Sequence, residues 1–207
     1  MYIFSRTTTL DRNRIAEATE RAVEVAGIVT NITGLPIAVY VSRFGEPLNT
    51  IRWSTRLESQ GELQDANDKL MANMDYLAWL GSNAEYYESA AADQLGYVVS
   101  STMAEPKRFY TVLVAEAANG RFGDAVEFGV RAQQFVAQTT GFATAFLTGT
   151  YGAFGAVTWL TGVDSMNDLD TLQEMQMTNT DYHALVNEAG QLFRAGSGQG
   201  GLIEKIN

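Results

Sequence analysis

Residues 34–55 read GLPIAVYVSRFGEPLNTIRWST, and residues 141–161 read GFATAFLTGTYGAFGAVTWLT. Gly34 falls on Gly141 and Gly45 on Gly152 at a shift of 107 residues. After a one-residue slip the shift is 106, and Trp53 falls on Trp159 and Asp75-Tyr76 on Asp181-Tyr182. Two landmarks on each side of a single slip mark a tandem duplication. Each copy holds a β-rich run, a glycine-bearing turn and a second β-rich run, which is the pattern of a hairpin. In the first copy the runs are residues 35–44 and 49–57, with Pro36 near a strand start, where a missing N–H is tolerated. In the second they are residues 142–151 and 156–161.

Working outward, residues 2–8 are short, β-branched and aromatic, which predicts a strand. Leu10-Asp11 is expected to open a helix with Ile15, Ala18, Ala22, Val25, Ala26 and Val29 on its apolar face. Ser59 and Glu62 form a capping-box pair ahead of Leu63, Ala66, Leu70, Met74 and Leu77. Residues 96–101 read as a closing strand, and residues 102–107, with Pro106, as a connector. The second copy repeats the order. Residues 108–115 predict a strand, and Phe122, Ala125, Val126, Ala132 and Val136 the buried face of a helix. Ser165 and Asp168 repeat the cap before Leu169, Leu172 and Met175, and Thr180 or Asp181 is expected to cap a further helix. Residues 202–206 close the sheet.

The order is βαββαβ twice, in units 1–103 and 108–207. That predicts an α+β fold of two ferredoxin-like units, each a four-stranded sheet with its helices on one face. Packing sheet to sheet, they would form an intramolecular pseudo-dimeric α/β barrel.

Composition narrows the function classes. The chain carries 14 basic and 24 acidic residues, a formal charge of −10, with −5 in each half. A polyanionic partner has no basic lobe to bind, so by charge neither nucleic acid nor a membrane surface is expected as a partner. There is no cysteine, which excludes disulfides, thiolate metal sites and cysteine nucleophiles. The opening MYIFSRTTTLDR lacks the pattern of a secretory signal, and the expectation is a soluble cytoplasmic protein.

The unit order, the Trp-ended strands NTIRW and AVTW, and the segment SMNDLDTLQEMQMTNTDYHALVNEAGQLF resemble the dimeric α/β-barrel superfamily, which includes the antibiotic-biosynthesis monooxygenases and NIPSNAP-type proteins. The resemblance spans the chain as two fused copies of what is usually one subunit. It implies a small-molecule ligand, and leaves open a cofactor-independent monooxygenase or cyclase, a non-catalytic binding or structural protein, and a haem binder. Duplication supplies internally what relatives obtain by dimerising, so a monomer and a homodimer are both open.

The candidate residues each carry two readings. His183, the single histidine, is either the general base (or haem ligand) or a surface residue. Tyr76 and Tyr182 are catalytic hydrogen-bond donors or packing groups after a capping aspartate. Trp53 and Trp159 either hold a flat ligand or fill the core under the helices. Arg43 and Arg52, with Tyr40 beside them on the first hairpin, bind an acidic or phenolate ligand group or pair with Glu46 and Glu58. No metal ligand set is expected, and no cofactor beyond the haem alternative. The glycine-rich residues 194–201 follow a helix and precede a strand, the reverse of a phosphate-binding loop.

Overall fold

The computed structural model describes every residue, Met1–Asn207. The strands are β1 Tyr2–Thr9, β2 Ala38–Phe44, β3 Thr50–Leu57, β4 Ala92–Ser101, β5 Phe109–Glu116, β6 Ala143–Gly149, β7 Ala156–Val163 and β8 Gln199–Lys205. The helices are α1 Ile15–Thr33, α2 Gln60–Ala72, α3 Met74–Ser82, α4 Phe122–Thr140, α5 Met166–Thr178 and α6 Thr180–Ala189, with a 3-10 turn at Ala84–Tyr86. The strands form a closed barrel in the order β1-β3-β2-β8-β5-β7-β6-β4. The fold is α+β, as the repeated βαββαβ order predicts.

Two compact units divide the chain: Met1–Leu95 with Glu204–Asn207, and Gly96–Ile203. The repeat ends near residue 103, but the first unit ends inside β4. From Gly96 onward β4 pairs antiparallel with β6 of the second unit. In return, the Ile206 N–H donates to the Val39 carbonyl, and the Asn207 side chain accepts from the Val39 N–H and donates to the Ile37 carbonyl.

In unit 1, β3 is the central antiparallel strand between β1 and β2. Ala18, Ala22 and Ala26 of α1 are buried against Leu10, Val39 and Ile51. A row of alanines lets a helix lie close on a sheet and costs no side-chain entropy. Gly34 ends α1 at φ 83°, a left-handed cap that glycine takes without steric cost. The helix starts later than Leu10-Asp11 suggests. Leu10 bridges to Tyr87 and donates to the Asn49 carbonyl, which extends the strand path, and Asp11 folds a turn by accepting from the Asn13 N–H.

The Ser59–Glu62 pair makes half a capping box. Ser59 accepts from the Glu62 N–H, but Glu62 accepts from Glu58 rather than from Ser59. Ser165–Asp168 makes the complete box. A break at Asn73 divides the expected long helix and leaves Met74 74% exposed instead of on the apolar stripe. Asn73 caps α3 by accepting from the Tyr76 N–H, and Asn179 caps α6 by accepting from Asp181 and Tyr182. The aspartates expected as caps lie inside the first turn, where their charge favours the helix N-terminus.

Unit 2 orders its strands β5-β7-β6-β4. The buried stripe of α4 is Ala125, Phe128, Gly129 and Gln133, while Phe122, expected inside, is 39% exposed. Apolar counting passed over Gln133 because it is polar. It is buried because its amide donates to the Thr144 hydroxyl at 2.6 Å and its carbonyl accepts from Ser100 at 2.7 Å.

Candidate functional site

The repeated tryptophans tie sheet to helix. The Trp53 indole N–H on β3 donates to the Ala22 carbonyl of α1 at 2.8 Å, and that of Trp159 on β7 to the Gly129 carbonyl of α4 at 3.0 Å. Ala22 and Gly129 occupy the same repeat position, so one device holds both halves.

Their surroundings differ. Trp159 meets Phe146, Phe193 and Phe128, with ring centroids 5.2, 5.4 and 6.5 Å away. Trp53 meets Tyr87 edge-on at 6.1 Å. Repeat alignment sets Tyr87 on Phe193, Val39 on Phe146 and Arg21 on Phe128. At two of these three positions unit 2 has hydrocarbon where unit 1 has a polar group, and at the third it has the larger ring.

Around Trp53, the polar groups Arg6, Asp93, Tyr76 and Tyr87 form a linked cluster. Arg6 lies directly across from Trp53 in the β1–β3 register and grips Asp93 through two 2.7 Å hydrogen bonds. A forked guanidinium–carboxylate pair fixes both partners in orientation. Tyr76 is 4% exposed, and burial raises its phenol above the ordinary range while the positive Arg6 pulls it back. Tyr87 is pushed up to about 12, first by burial and then by the nearby Tyr76 and Glu24. The unit 2 counterparts of Arg6, Asp93 and Tyr87 are Leu113, Gln199 and Phe193, so of this cluster only the tyrosine at 182 survives. Burial raises the Tyr182 phenol too, partly offset by a hydrogen bond with Gln176.

The high Tyr87 value has a sign that can be checked. The folded state holds the Tyr87 proton to higher pH than the unfolded chain, whose tyrosines ionise near 10. Its contribution to stability is complete below about pH 10 and is lost as pH rises toward 12. Phenolate absorbance during an alkaline titration should show a late-ionising tyrosine that is absent in Tyr87→Phe.

The remaining candidates lie elsewhere. His183 is exposed on α6, and its Nε2 lies 2.9 Å from the Gln176 carbonyl in the last turn of α5. A haem ligand needs a free ring nitrogen facing an apolar pocket, so these surroundings do not fit haem. No group of three or more His, Asp or Glu side chains is placed to hold a metal ion. Arg43 and Arg52, expected to act together, do not meet. Arg43 alternates with Val39 and Val41 on the α1 side of the sheet and pairs with Glu204, at 2.6 and 2.8 Å. Arg52 points to the opposite face, directly across from Tyr40, and bonds Glu46 at 2.8 Å. An open groove of about 530 Å³ in unit 2, lined by Thr102, Lys107, Ala137, Gly141 and Phe142 among others, contains none of the candidates.

The residues that sequence reasoning missed, Arg6, Tyr87 and Asp93, come from three separate elements. Their signal was the inequality of the copies at these positions, which a search for shared motifs passes over.

No family model matches the chain, and no curated protein matches it in sequence. Solved structures do match. An anthrone oxidase-like protein superposes with a TM-score of 0.70 at 15% identity, over 100% of this chain and 91% of that one. A protein described as a candidate monooxygenase from Fusobacterium nucleatum gives 0.69 at 6% identity, over 100% and 92%. Another from Lactobacillus acidophilus gives 0.65 at 12%, over 99% and 93%. At such identities the likeness is one of fold. The chain has the dimeric α/β-barrel fold, with both halves carried in one polypeptide as a tandem duplication.

Proposed function

We propose that the protein is an enzyme that binds a small, flat, largely apolar or aromatic metabolite on the α1-facing side of the unit 1 sheet, and oxidises or cyclises it without a bound cofactor. The observation that carries this reading is that unit 1 has Arg6, Asp93 and Tyr87 around Trp53 and Tyr76, where the unit 2 counterparts are Leu113, Gln199 and Phe193 and Trp159 sits among three phenylalanines. A filled copy serves stability, and the copy left polar serves chemistry. The matching of anthrone oxidase-like and candidate monooxygenase structures in fold fits the same class.

The roles follow from the groups. Trp53 and Tyr87 offer ring edges and faces to a flat ligand. Tyr76 and Tyr87, both held protonated at neutral pH, act as hydrogen-bond donors rather than bases. Arg6, fixed by Asp93, stabilises the anion of a phenolic or enolic ligand. Such an anion, its proton given up to solvent, is electron-rich and passes electrons directly to dioxygen; one oxygen atom becomes the new carbonyl and the other leaves as water, so the substrate supplies the reducing power.

The test uses 1,8-dihydroxyanthrone as probe and oxygen uptake as readout. Saturable uptake above the buffer rate is expected, falling about a hundredfold in Tyr76→Phe and staying near wild type in Tyr182→Phe. Binding without uptake would make the protein a carrier instead, and an equal loss in His183→Ala would move the chemistry to His183.

A further inference from the structure

We propose that the opposite face of the unit 1 sheet holds a second site, for a neutral hydroxyl-bearing molecule, built on Arg52, Glu46, Thr7 and Ser42. Side chains alternate across a strand, and directly paired residues of antiparallel strands share a face. Trp53, Ile51 and Val39 face α1. Arg52 therefore faces away from it, in one row with its pairing partners Thr7 and Tyr40. Ser42 and Thr50 continue the same face.

Two independent observations mark this face as more than packing. The first is chemical asymmetry. Where unit 1 has Ser5, Thr7, Tyr40, Ser42, Arg52 and Ser54, the repeat positions of unit 2 hold Val112, Val114, Leu147, Gly149, Thr158 and Leu160. Only one of the six stays polar.

The second is a set of buried polar atoms without partners. These are the Thr7 and Ser42 hydroxyl oxygens, Arg52 Nε and Glu46 Oε2, and Ser42 is 3% exposed. In unit 2 the buried hydroxyl without a partner is that of Thr150, in the β6–β7 connection. A buried donor or acceptor left unmade gives up its bonds to water and gets nothing back, so a group of four in one place calls for a partner.

The geometry selects that partner. Arg52 donates to Glu46 Oε1 through Nη2 alone, which leaves the fork half made with a spare N–H on one side and a spare oxygen on the other. A hydroxyl satisfies both, accepting from Arg52 Nε–H and donating to Glu46 Oε2. A carboxylate ligand would be repelled by the spare Glu46 oxygen, and an ammonium has no acceptor for Arg52. The Thr7 and Ser42 hydroxyls donate or accept as the ligand requires.

The Nε–H resonance of Arg52, identified by its loss in Arg52→Lys, gives a direct readout by NMR. Titrated phenol should shift it saturably, while anisole, which accepts but cannot donate, should leave it unmoved. Thr7→Val/Ser42→Ala, or Ser42→Ala alone if the double variant unfolds, should weaken the phenol response about tenfold or more. An equal response to anisole, no response to phenol, no effect of the hydroxyl deletions, or contact with a slowly exchanging buried water only would each overturn the assignment. Stacking of phenol on the Trp53 cluster moves the Trp53 indole N–H instead, and anisole does the same, so the two sites are read separately.

Discussion

Gly129→Ala should destabilise the protein by about 1–3 kcal/mol, although alanine normally gains about 1 kcal/mol over glycine inside a helix. A Cβ at position 129 would lie 2.1 Å from Phe146 Cζ and 2.3 and 2.6 Å from its Cε atoms. Those separations are far inside contact distance, and Phe146 is fully buried, so the ring has nowhere to retreat. The close approach is the same one that brings the Gly129 carbonyl to the Trp159 indole. Unit 1 solves the same packing problem with the opposite division of volume, placing Ala22 and Val39 at the two positions. Phe146→Val alone should leave a cavity and cost about 2–3 kcal/mol. The double variant Gly129→Ala/Phe146→Val reproduces the unit 1 pair, and should be more stable than the sum of the single losses by about 2 kcal/mol or more. Urea unfolding of the four proteins measures the coupling, and additivity would refute the exchange of volume.

Trp159→Ala carries the other large effect, a loss of about 3–5 kcal/mol. It removes the central ring of the group formed by Phe128, Phe146 and Phe193, together with the indole bond to α4. Trp53→Ala removes the matching bond to α1 but the ring contact with Tyr87 alone, and should cost about 1 kcal/mol less or better. Trp→Phe at each position separates the hydrogen bond from the ring, and its cost should be similar in the two units because the bond is the same. Thermal unfolding followed for all four variants tests the ordering. Equal losses for the two alanine variants would mean that the phenylalanine group adds nothing.

How much of this was legible in the residues follows from what repeats. The hairpins, the strand order and the serine caps are set by local spacing, and a duplication states each of them twice. Asn73 and Asn179 recur at the same shift as the tryptophans but were overlooked, because the adjacent Asp-Tyr pair already offered a cap. The burial of Gln133 depends on Thr144 and Ser100, which no helical periodicity can indicate. Arg43 and Arg52 looked like neighbours because both lie on one hairpin, yet an odd number of positions and the pairing register put them on opposite faces. The candidate site was hardest to see. Arg6 is 87 residues from Asp93 in the chain, and β1 must come against the stretch that carries Tyr87 and Asp93 before they form a group.

The exchange of terminal strands between the repeats bears on biosynthesis. Val39 is bonded to Asn207 across a sequence separation of 168 residues, and Glu204–Asn207 belong to the compact unit that otherwise ends at Leu95. Contacts of such separation form late, because the entropy of closing the loop is spent before the contact returns anything. As the polypeptide leaves the ribosome, the first unit waits with the β2 edge open until all of unit 2 has been made, so it spends vectorial synthesis as an unfinished sheet. An early stop codon anywhere in the second repeat would therefore damage the first repeat too, and the gene duplication cannot be undone by cutting the message where the repeats join.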